Sequence, residues 1–169
     1  AQGTVNGTEA VGGLVGKNDG KYDAETLFSI ASSIHGSSFR GTVNAVGGNA
    51  AKIGGLVGGN AGNVNGCAAD GSVNAKAARM VGGLAGYAMD SSVTGCTVEG
   101  RLELRAHQGM FGLAGILGYG VGQVDHCTSD VTLICVDTDA ETTDEQFLGG
   151  VFGTGFVSVQ NSEVYIDAY

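Results

Sequence analysis

The most reactive side chains of the chain are four cysteines, and three of them recur at a regular spacing. Cys67, Cys96 and Cys127 lie 29 and 31 residues apart, whereas Cys135 falls outside this series. Neither a CxxC motif nor a Cys/His pair at metal-ligand spacing occurs. At equivalent positions of a repeat the three thiols would stack about 4.8 Å apart and point the same way, which is poor geometry for a disulfide. The spacing therefore predicts a buried structural ladder of Cys67, Cys96 and Cys127.

Carboxylates are densest in residues 137–146, which hold five in ten residues. Asp137, Asp139 and Glu141 alternate along this segment and offer the oxygen ligands that calcium prefers. The segment lacks the glycine and the terminal glutamate of an EF-hand loop, and the chain lacks the glycine-rich nonapeptide of calcium β-rolls. A solvated acidic loop is the main prediction, with calcium at these three residues as the alternative. We expect no other cofactor.

Acid–base chemistry has candidates elsewhere in the chain. They are five carboxylates and one histidine: Asp70, Glu99, Asp125, Asp130, Glu163 and His126. Glycosidases need two carboxyl groups at a defined separation. In the repeat alignment these residues do not form one column, and no Lys or Arg clusters with them in sequence. We therefore predict no catalytic residue, and a carbohydrate-active lyase or hydrolase is the alternative function.

The segments that must position these side chains are copies of one six-residue word. It reads V-G-G-L-V-G at residues 11–16, I-G-G-L-V-G at 53–58 and V-G-G-L-A-G at 81–86, with looser copies at 113–118 and 148–153. A second apolar word ends at the cysteine position, three residues after a valine. In the last and first copies the pairs Val159–Ser162 and Ile34–Ser37 take these places. A third word follows six residues later, and the base period is about 28 to 30 residues.

Three short apolar words bounded by Gly, Asn, Asp and Ser predict three strands per period. The predicted fold is all-β: a parallel β-solenoid of about five turns, right-handed by the general rule for parallel crossovers. We expect residues 1–169 to form a single domain, a segment of a longer chain because neither end carries a polar cap. Two insertions lie near residues 17–33 and 136–146. In the first, Asp23–Ala31 is predicted to form one or two helical turns.

Further positions recur in the alignment. Asn6, Asn44 and Asn74 share one position and are predicted to hydrogen-bond along the stack. Tyr87 and Tyr119 share another, which predicts a solvent-facing aromatic stack, with a sugar-binding platform as the alternative. A third such row, of threonines at an ice-binding spacing, is interrupted by an arginine.

The word itself poses a question about its two central apolar residues. Leu84 and Ala85 are adjacent, and both of their positions are apolar in every copy. Alternation along a strand would send them to opposite faces, so either a bend separates them or both faces of the sheet are covered.

Charge and hydropathy limit the partners. The formal net charge is −9, so the chain has no basic stripe for nucleic acid. No apolar run approaches the length of a membrane-spanning helix. With 32 Gly and no Pro, the chain suits a narrow stack in which nearly every strand is central and needs its N–H groups.

The words V-G-G-L-V-G, V-N-G-C at residues 64–67 and G-S-V at 71–73 resemble the GLUG repeat. This family occurs in large bacterial surface and secreted proteins, including IgA-specific metallopeptidases. The resemblance implies an extracellular location and a solenoid fold, and it transfers no catalytic residue. The zinc signature H-E-x-x-H is absent. The expected function is a non-catalytic structural or adhesive module that spaces or presents flanking domains of the same polypeptide and binds host protein or glycan.

Overall fold

The fold consists of short β-strands. The computed structural model describes residues 1–19, 21–23, 28–30, 32–45, 52–76, 78–106, 111–137 and 146–169. Within these ranges no helix occurs. The described residues therefore contain no helix that is long and apolar enough to cross a bilayer.

The described residues form the following strands in chain order: β1 (Gln2–Gly7), β2 (Ala10–Gly12), β3 (Val15–Asn18), β4 (Lys21–Asp23), β5 (Phe28–Ile30), β6 (Ser33–His35), β7 (Ser38–Ala45), β8 (Lys52–Gly54), β9 (Val57–Asn60), β10 (Asn63–Asn65), β11 (Ala68–Lys76), β12 (Met80–Gly82), β13 (Ala85–Thr94), β14 (Thr97–Ala106), β15 (Phe111–Ala114), β16 (Leu117–Asp125), β17 (Thr128–Asp137), β18 (Gln146–Gly149), β19 (Phe152–Gln160) and β20 (Glu163–Ala168).

Three parallel sheets run along the molecule, and each collects one word of the repeat. Sheet 1 holds the start of the first word and contains β2, β8, β12, β15 and β18. Sheet 2 holds the end of the first word and the second word, in β3, β6, β9, β10, β13, β16 and β19. Sheet 3 holds the third word and contains β1, β7, β11, β14, β17 and β20. In each period the chain contributes strands to sheets 1, 2 and 3 in turn. The predicted parallel β-solenoid is therefore confirmed.

The strand register reproduces the repeat alignment residue by residue. The column of sheet 1 is Val11, Ile53, Val81, Leu113 and Leu148. The column of sheet 2 is Ile34, Val64, Val93, Val124 and Val159. The column of sheet 3 is Val5, Val43, Val73, Leu102, Leu133 and Ala168. The aliphatic position of each word thus sets the register, because a slip by one residue would turn these side chains out of the core.

The number of turns is smaller than the sequence suggests. Sheet 1 has five strands, which are joined by four steps from one turn to the next. The solenoid therefore makes about four turns, and the predicted count of about five is corrected. The sequence count was higher because it counted copies of the word and not the steps between them.

A bend separates the two apolar residues at the centre of the word. Strand β12 ends at Gly82 and β13 begins at Ala85. Leu84 and Ala85 are both fully buried, at 0% exposure. A Cβ atom on Gly83 would lie 2.1 Å from the carbonyl oxygen of Gly115, so only glycine lets the turns approach this closely at the corner. Of the two alternatives, the bend is correct.

The core is a narrow column of aliphatic side chains with one large ring near its start. Leu56, Leu84 and Ile116 are fully buried at its centre. Phe39 heads a column that continues with Ala69, Val98, Ser129 and Val164. The Phe39 ring packs so close to Gly13 that a Cβ atom there would lie 2.2 Å from its Cδ1 atom. Phe39 therefore fills the space inside the first complete turn.

The first insertion is not helical where the structure describes it. Strands β4 and β5 pair antiparallel, with Lys21 opposite Ile30, while residues 24–27 and 31 lie outside the described residues. The prediction of helical turns at Asp23–Ala31 is therefore wrong for the two strands. The sequence of β5, Phe28-Ser29-Ile30, has aromatic and β-branched residues that suit a strand. Asn18 aligns with Asn60 and Ser33 with Asn63, so residues 19–32 replace only Ala61 and Gly62.

Candidate functional site

The three cysteines of the series lie on successive turns at one corner of the solenoid. Cys67, Cys96 and Cys127 are buried, and none of them forms a disulfide. Each Sγ donates a hydrogen bond to the carbonyl oxygen two residues earlier, at 3.3 to 3.4 Å. Ser37 and Ser162 make the same contact with Oγ at 2.8 Å. The side chain at this position closes the corner between sheets 2 and 3, which is a structural role.

The residue before each of these side chains adopts a left-handed conformation. Gly36, Gly66 and Gly95 have φ of 50°, 58° and 61°. His126 and Asn161 occupy the same position in the last two turns with φ of 51° and 46°. Non-glycine residues are sterically strained in this left-handed region, and asparagine is among the least strained. The V-N-G-C and V-T-G-C words thus contain Gly because the corner requires positive φ.

His126 and Asn161 converge on one carboxylate at this corner. Asn161 Nδ2 donates to Asp125 Oδ1 at 3.0 Å, and His126 Nδ1 lies 2.9 Å from the same oxygen. The Asn161 amide first, and His126 second, lower the pKa of Asp125 below its usual value. Asp125 is half-buried while His126 and Asn161 are exposed, so the three side chains form a surface cluster on adjacent turns.

Three of the acid–base candidates do form one column, which corrects the sequence-based expectation. Asp70, Glu99 and Asp130 are in register on β11, β14 and β17. Adjacent strands place their Cα atoms about 4.8 Å apart. Arg40 belongs to the same column and its Nε donates to Asp70 Oδ2 at 2.7 Å. The column is visible in the sequence, because Asp70, Glu99 and Asp130 each lie three residues after Cys67, Cys96 or Cys127. Asp125 and Glu163 do not share this spacing, so the five carboxylates together form no single column.

The remaining acid–base candidates lie apart from this row. Asp125 ends β16 in sheet 2. Glu163 is in sheet 3 but aligns with Thr128, two residues before Asp130. The structure thus brings together Asp70, Glu99 and Asp130 on the outer face of sheet 3, beside an arginine that sequence spacing did not associate with them.

The asparagine row forms the predicted chain of hydrogen bonds. Asn44 Nδ2 donates to Asn6 Oδ1 at 3.0 Å, and Asn74 Nδ2 donates to Asn44 Oδ1 at 2.9 Å. The Asn44 amide therefore uses both its donor and its acceptor along the axis. A second pair, which the sequence analysis missed, joins Asn18 Nδ2 to Asn60 Oδ1 at 2.7 Å. Both rows serve to hold turns together.

The two tyrosines stack, and a lysine extends the stack. The rings of Tyr87 and Tyr119 have centroids 5.4 Å apart and planes 9° apart. Lys52 Nζ lies 4.4 Å from the centroid of the Tyr87 ring. Burial first, and then Tyr119 and Asp90, raise the pKa of Tyr87. Because Lys52 and Tyr119 both contact the Tyr87 ring, this ring has no wide open face on which a sugar could stack. The arrangement therefore favours a structural role over a sugar-binding platform.

The calcium candidates lie mostly outside the described residues. Asp137 is the last residue of β17, whereas Asp139 and Glu141 fall in the undescribed range 138–145. In the ranges that the structure describes, no group of three metal-ligating side chains is close enough to hold a metal ion. The calcium alternative at these three residues stays a prediction.

Comparison with known protein families finds one motif in two segments of the chain. The family model described as the GLUG motif matches residues 7–44 and 77–103. Comparisons with curated proteins and with solved structures returned no significant match. The first matched segment includes the first insertion and the second lies in the regular part of the stack. The chain therefore contains two segments that match the GLUG motif, and its strands stack as a parallel β-solenoid.

Proposed function

We propose that this solenoid is a rigid, non-catalytic spacer of a bacterial surface or secreted protein, which presents neighbouring domains and binds host protein or glycan through its insertions. The observation that supports the spacer role is the unbroken register of sheet 3. Six strands stack in parallel from β1 to β20, and rows of asparagine and cysteine side chains add contacts between turns. Such a stack transmits position along its axis because each turn is fixed to the next.

The spacer role is tested by measuring the distance between its two ends. Thr4 and Asp167 belong to one column of sheet 3, five strand-to-strand steps apart, which corresponds to about 24 Å between Cα atoms at about 4.8 Å per step. Spin labels at Thr4→Cys and Asp167→Cys, in a Cys135→Ser background, should give one narrow distance distribution by pulsed electron resonance. A broad or multimodal distribution would reject a rigid spacer.

The adhesive role follows from the insertions, which interrupt an otherwise regular stack. A glycan array and a panel of host matrix proteins are screened with and without millimolar calcium. Two variants locate any binding. One replaces residues 19–32 by Ala-Gly, the Ala61-Gly62 connection of the next turn. The other replaces residues 137–146 by Ala-Ala-Arg, the sequence of residues 77–79 that joins β11 to β12. Binding that survives both replacements, or no binding at all, would remove the adhesive part and leave the spacer.

The alternative of a carbohydrate-active enzyme has one observation in its favour, the row Asp70, Glu99 and Asp130. Adjacent strands place the Cα atoms of these residues about 4.8 Å apart, close to the carboxyl separation of about 5 to 5.5 Å in retaining glycosidases. Acidic polysaccharides are incubated with the protein and assayed for new reducing ends and for unsaturated products. Activity abolished by Glu99→Gln and retained in Glu163→Gln, the carboxylate outside the row, would establish the enzyme. An absence of products with every substrate would remove it.

A further inference from the structure

The core of the solenoid is not completely filled behind the glycines of sheet 3. A cavity lies inside strands β11 and β14, with about 20 Å³ of space for the centre of a water-sized guest molecule. Its wall consists of residues 69–73 and 98–102, together with Phe39, Gly41, Gly55, Gly83 and Val131. Gly55 and Gly83 belong to the corner between sheets 1 and 2. The cavity therefore lies between that corner and sheet 3, in the interior of the stack.

The cavity arises from a column of glycines in sheet 3. Gly41, Gly71 and Gly100 are in register, with φ angles of 152°, 129° and 139° that L side chains rarely adopt. A Cβ atom on Gly71 would lie 2.0 Å from the carbonyl oxygen of Gly41, so no side chain can extend into the core from this position. In the neighbouring column Ala69 is small, and it leaves further space.

Two larger side chains close the cavity along the axis of the stack. Phe39 precedes Ala69 in its column, and its ring fills the turn before the cavity. Val131 follows Gly100 in the glycine column and fills the turn after it. Both side chains are buried, at 3% and 4% exposure. The cavity is therefore enclosed by turns that lie inside the stack.

The cavity wall is apolar. Asp70 and Glu99 alternate with buried residues along their strands and are half-buried and exposed respectively, so their side chains lie on the outer face of sheet 3. Among the described residues, the buried side-chain atoms without a hydrogen-bond partner are Oγ of Ser32 and of Ser129, and neither residue lines the cavity. A buried water needs about two to four polar partners, so the wall favours an apolar guest over water.

We propose that this cavity binds one small apolar molecule of one or two heavy atoms, of the class of dissolved dioxygen. The space exceeds the roughly 10 to 15 Å³ that a water-sized guest requires, and it is too small for a ring. The guest gains dispersion contacts with Ala69, Val98 and Val131 that an empty cavity does not offer. It also leaves water, in which an apolar molecule is poorly accommodated. This site is independent of the spacer role.

Paramagnetic relaxation by dioxygen tests the site. Methyl NMR signals of Ala69, Val98 and Val131 are recorded under dioxygen and under the same pressure of dinitrogen, which is diamagnetic. The enhancement by dioxygen should be at least about threefold larger at these methyls than at Val64 and Val124, which are fully buried in sheet 2 and do not line the cavity. Equal enhancement at all buried methyls would overturn the proposal, because it would report general solubility of the gas in the core.

Two substitutions change the cavity in opposite directions. Ala69→Val fills it with the side chain that the next turn has at this position, Val98, and should lower the enhancement at Val131 to that at Val124. Val131→Ala lengthens the cavity and should raise the enhancement at Val98 about twofold. Ala68→Val is the matched control, because this neighbouring residue lies on the outer face of the same strand, and it should change nothing. Circular dichroism checks that the variants remain folded.

A crystal structure at high resolution distinguishes the apolar guest from a water molecule. An ordered water in the cavity at ambient pressure would overturn the proposal, and so would an enhancement at Val131 that persists in Ala69→Val. A cavity that is dry at ambient pressure and contains dioxygen density under pressure would support it.

Discussion

Cys96 and Cys127 lie on adjacent turns, and the backbone N–H of Cys96 donates to Sγ of Cys127 at 3.4 Å. The neighbouring Cys127 thiol, together with burial, raises the pKa of Cys96, while the Cys96 thiol lowers the pKa of Cys127. The two groups therefore titrate as a pair in which Cys127 loses its proton first. Both side chains are only 1% exposed, so this acidity is not available to reagents in the folded protein.

Thiol reactivity should accordingly depend on unfolding. We expect Cys67, Cys96 and Cys127 to resist iodoacetamide in the native protein at pH 8 and to react rapidly in denaturant. Mass spectrometry of peptides after timed alkylation measures each site separately. Labelling of Cys127 at the same rate with and without denaturant would show that the corner opens in the native state.

Removing a buried hydroxyl should stabilise the protein. Ser129 Oγ is fully buried and accepts or donates no hydrogen bond, whereas the same column has Ala69 and Val98 in earlier turns. Ser129→Ala should raise the free energy of unfolding by about 1 kcal/mol, because an unsatisfied buried hydroxyl is costly. Urea denaturation measures the change, with the exposed Ser158→Ala as a control of no effect. A loss of stability in Ser129→Ala would mean that the hydroxyl has a partner.

Two glycines should differ sharply in their tolerance of alanine. A Cβ atom on Gly100 would lie 1.9 Å from the carbonyl oxygen of Gly71, whereas one on Gly66 meets nothing within 4 Å. Gly100→Ala should cost at least about 3 kcal/mol, because backbone on adjacent strands must separate. Gly66→Ala should cost about 1 to 2 kcal/mol, the strain of positive φ alone. Similar urea midpoints for the two variants would contradict this account of the close approach.

The corner carboxylate should make stability depend on pH in a defined direction. The folded pKa of Asp125 is lowered, chiefly by the Asn161 amide. The contribution of the ionised Asp125 to the free energy of unfolding is therefore present above the unfolded pKa near 3.8. It is lost as pH falls through the lower folded pKa. Asn161→Gly keeps the positive φ and removes the amide, so the pKa of Asp125 should rise towards its usual value.

Carboxyl NMR titration measures the pKa of Asp125 in this variant directly. The difference in stability between the original protein and Asn161→Gly should be constant near neutral pH and change only at acid pH. His126→Gly removes the second contact and should move the pKa less. An Asp125 pKa that is unchanged in Asn161→Gly would contradict the assignment.

The lysine over the tyrosine stack should contribute modestly to stability. Lys52→Met keeps most of the aliphatic stem and removes the charge above the Tyr87 ring, so we expect a loss of about 0.5 to 1 kcal/mol. Lys17→Met is the matched control, because Lys17 shares the column of the tyrosines but pairs with Asp19. In a Tyr87→Thr background, the Lys52→Met change should have almost no effect. Equal effects in both backgrounds would show that the charge does not act through the ring.

The sequence by itself determined the architecture. Recurring aliphatic residues such as Val64, Val93 and Val124 specify the register of the strands, because each must face one narrow core. The positions of the asparagine row and of the tyrosines followed from the same alignment. Repeats make this inference strong, since every turn repeats the same local choices.

Only the tertiary structure decided which contacts are made between neighbouring turns by side chains outside the apolar core. The ion pair of Arg40 with Asp70, the Lys52 contact with Tyr87 and the converging side chains at Asp125 depend on outward positions, where no core fixes the residue type. The strands β4 and β5 form where a helix was predicted because the aromatic and β-branched residues of β5 suit pairing with β4.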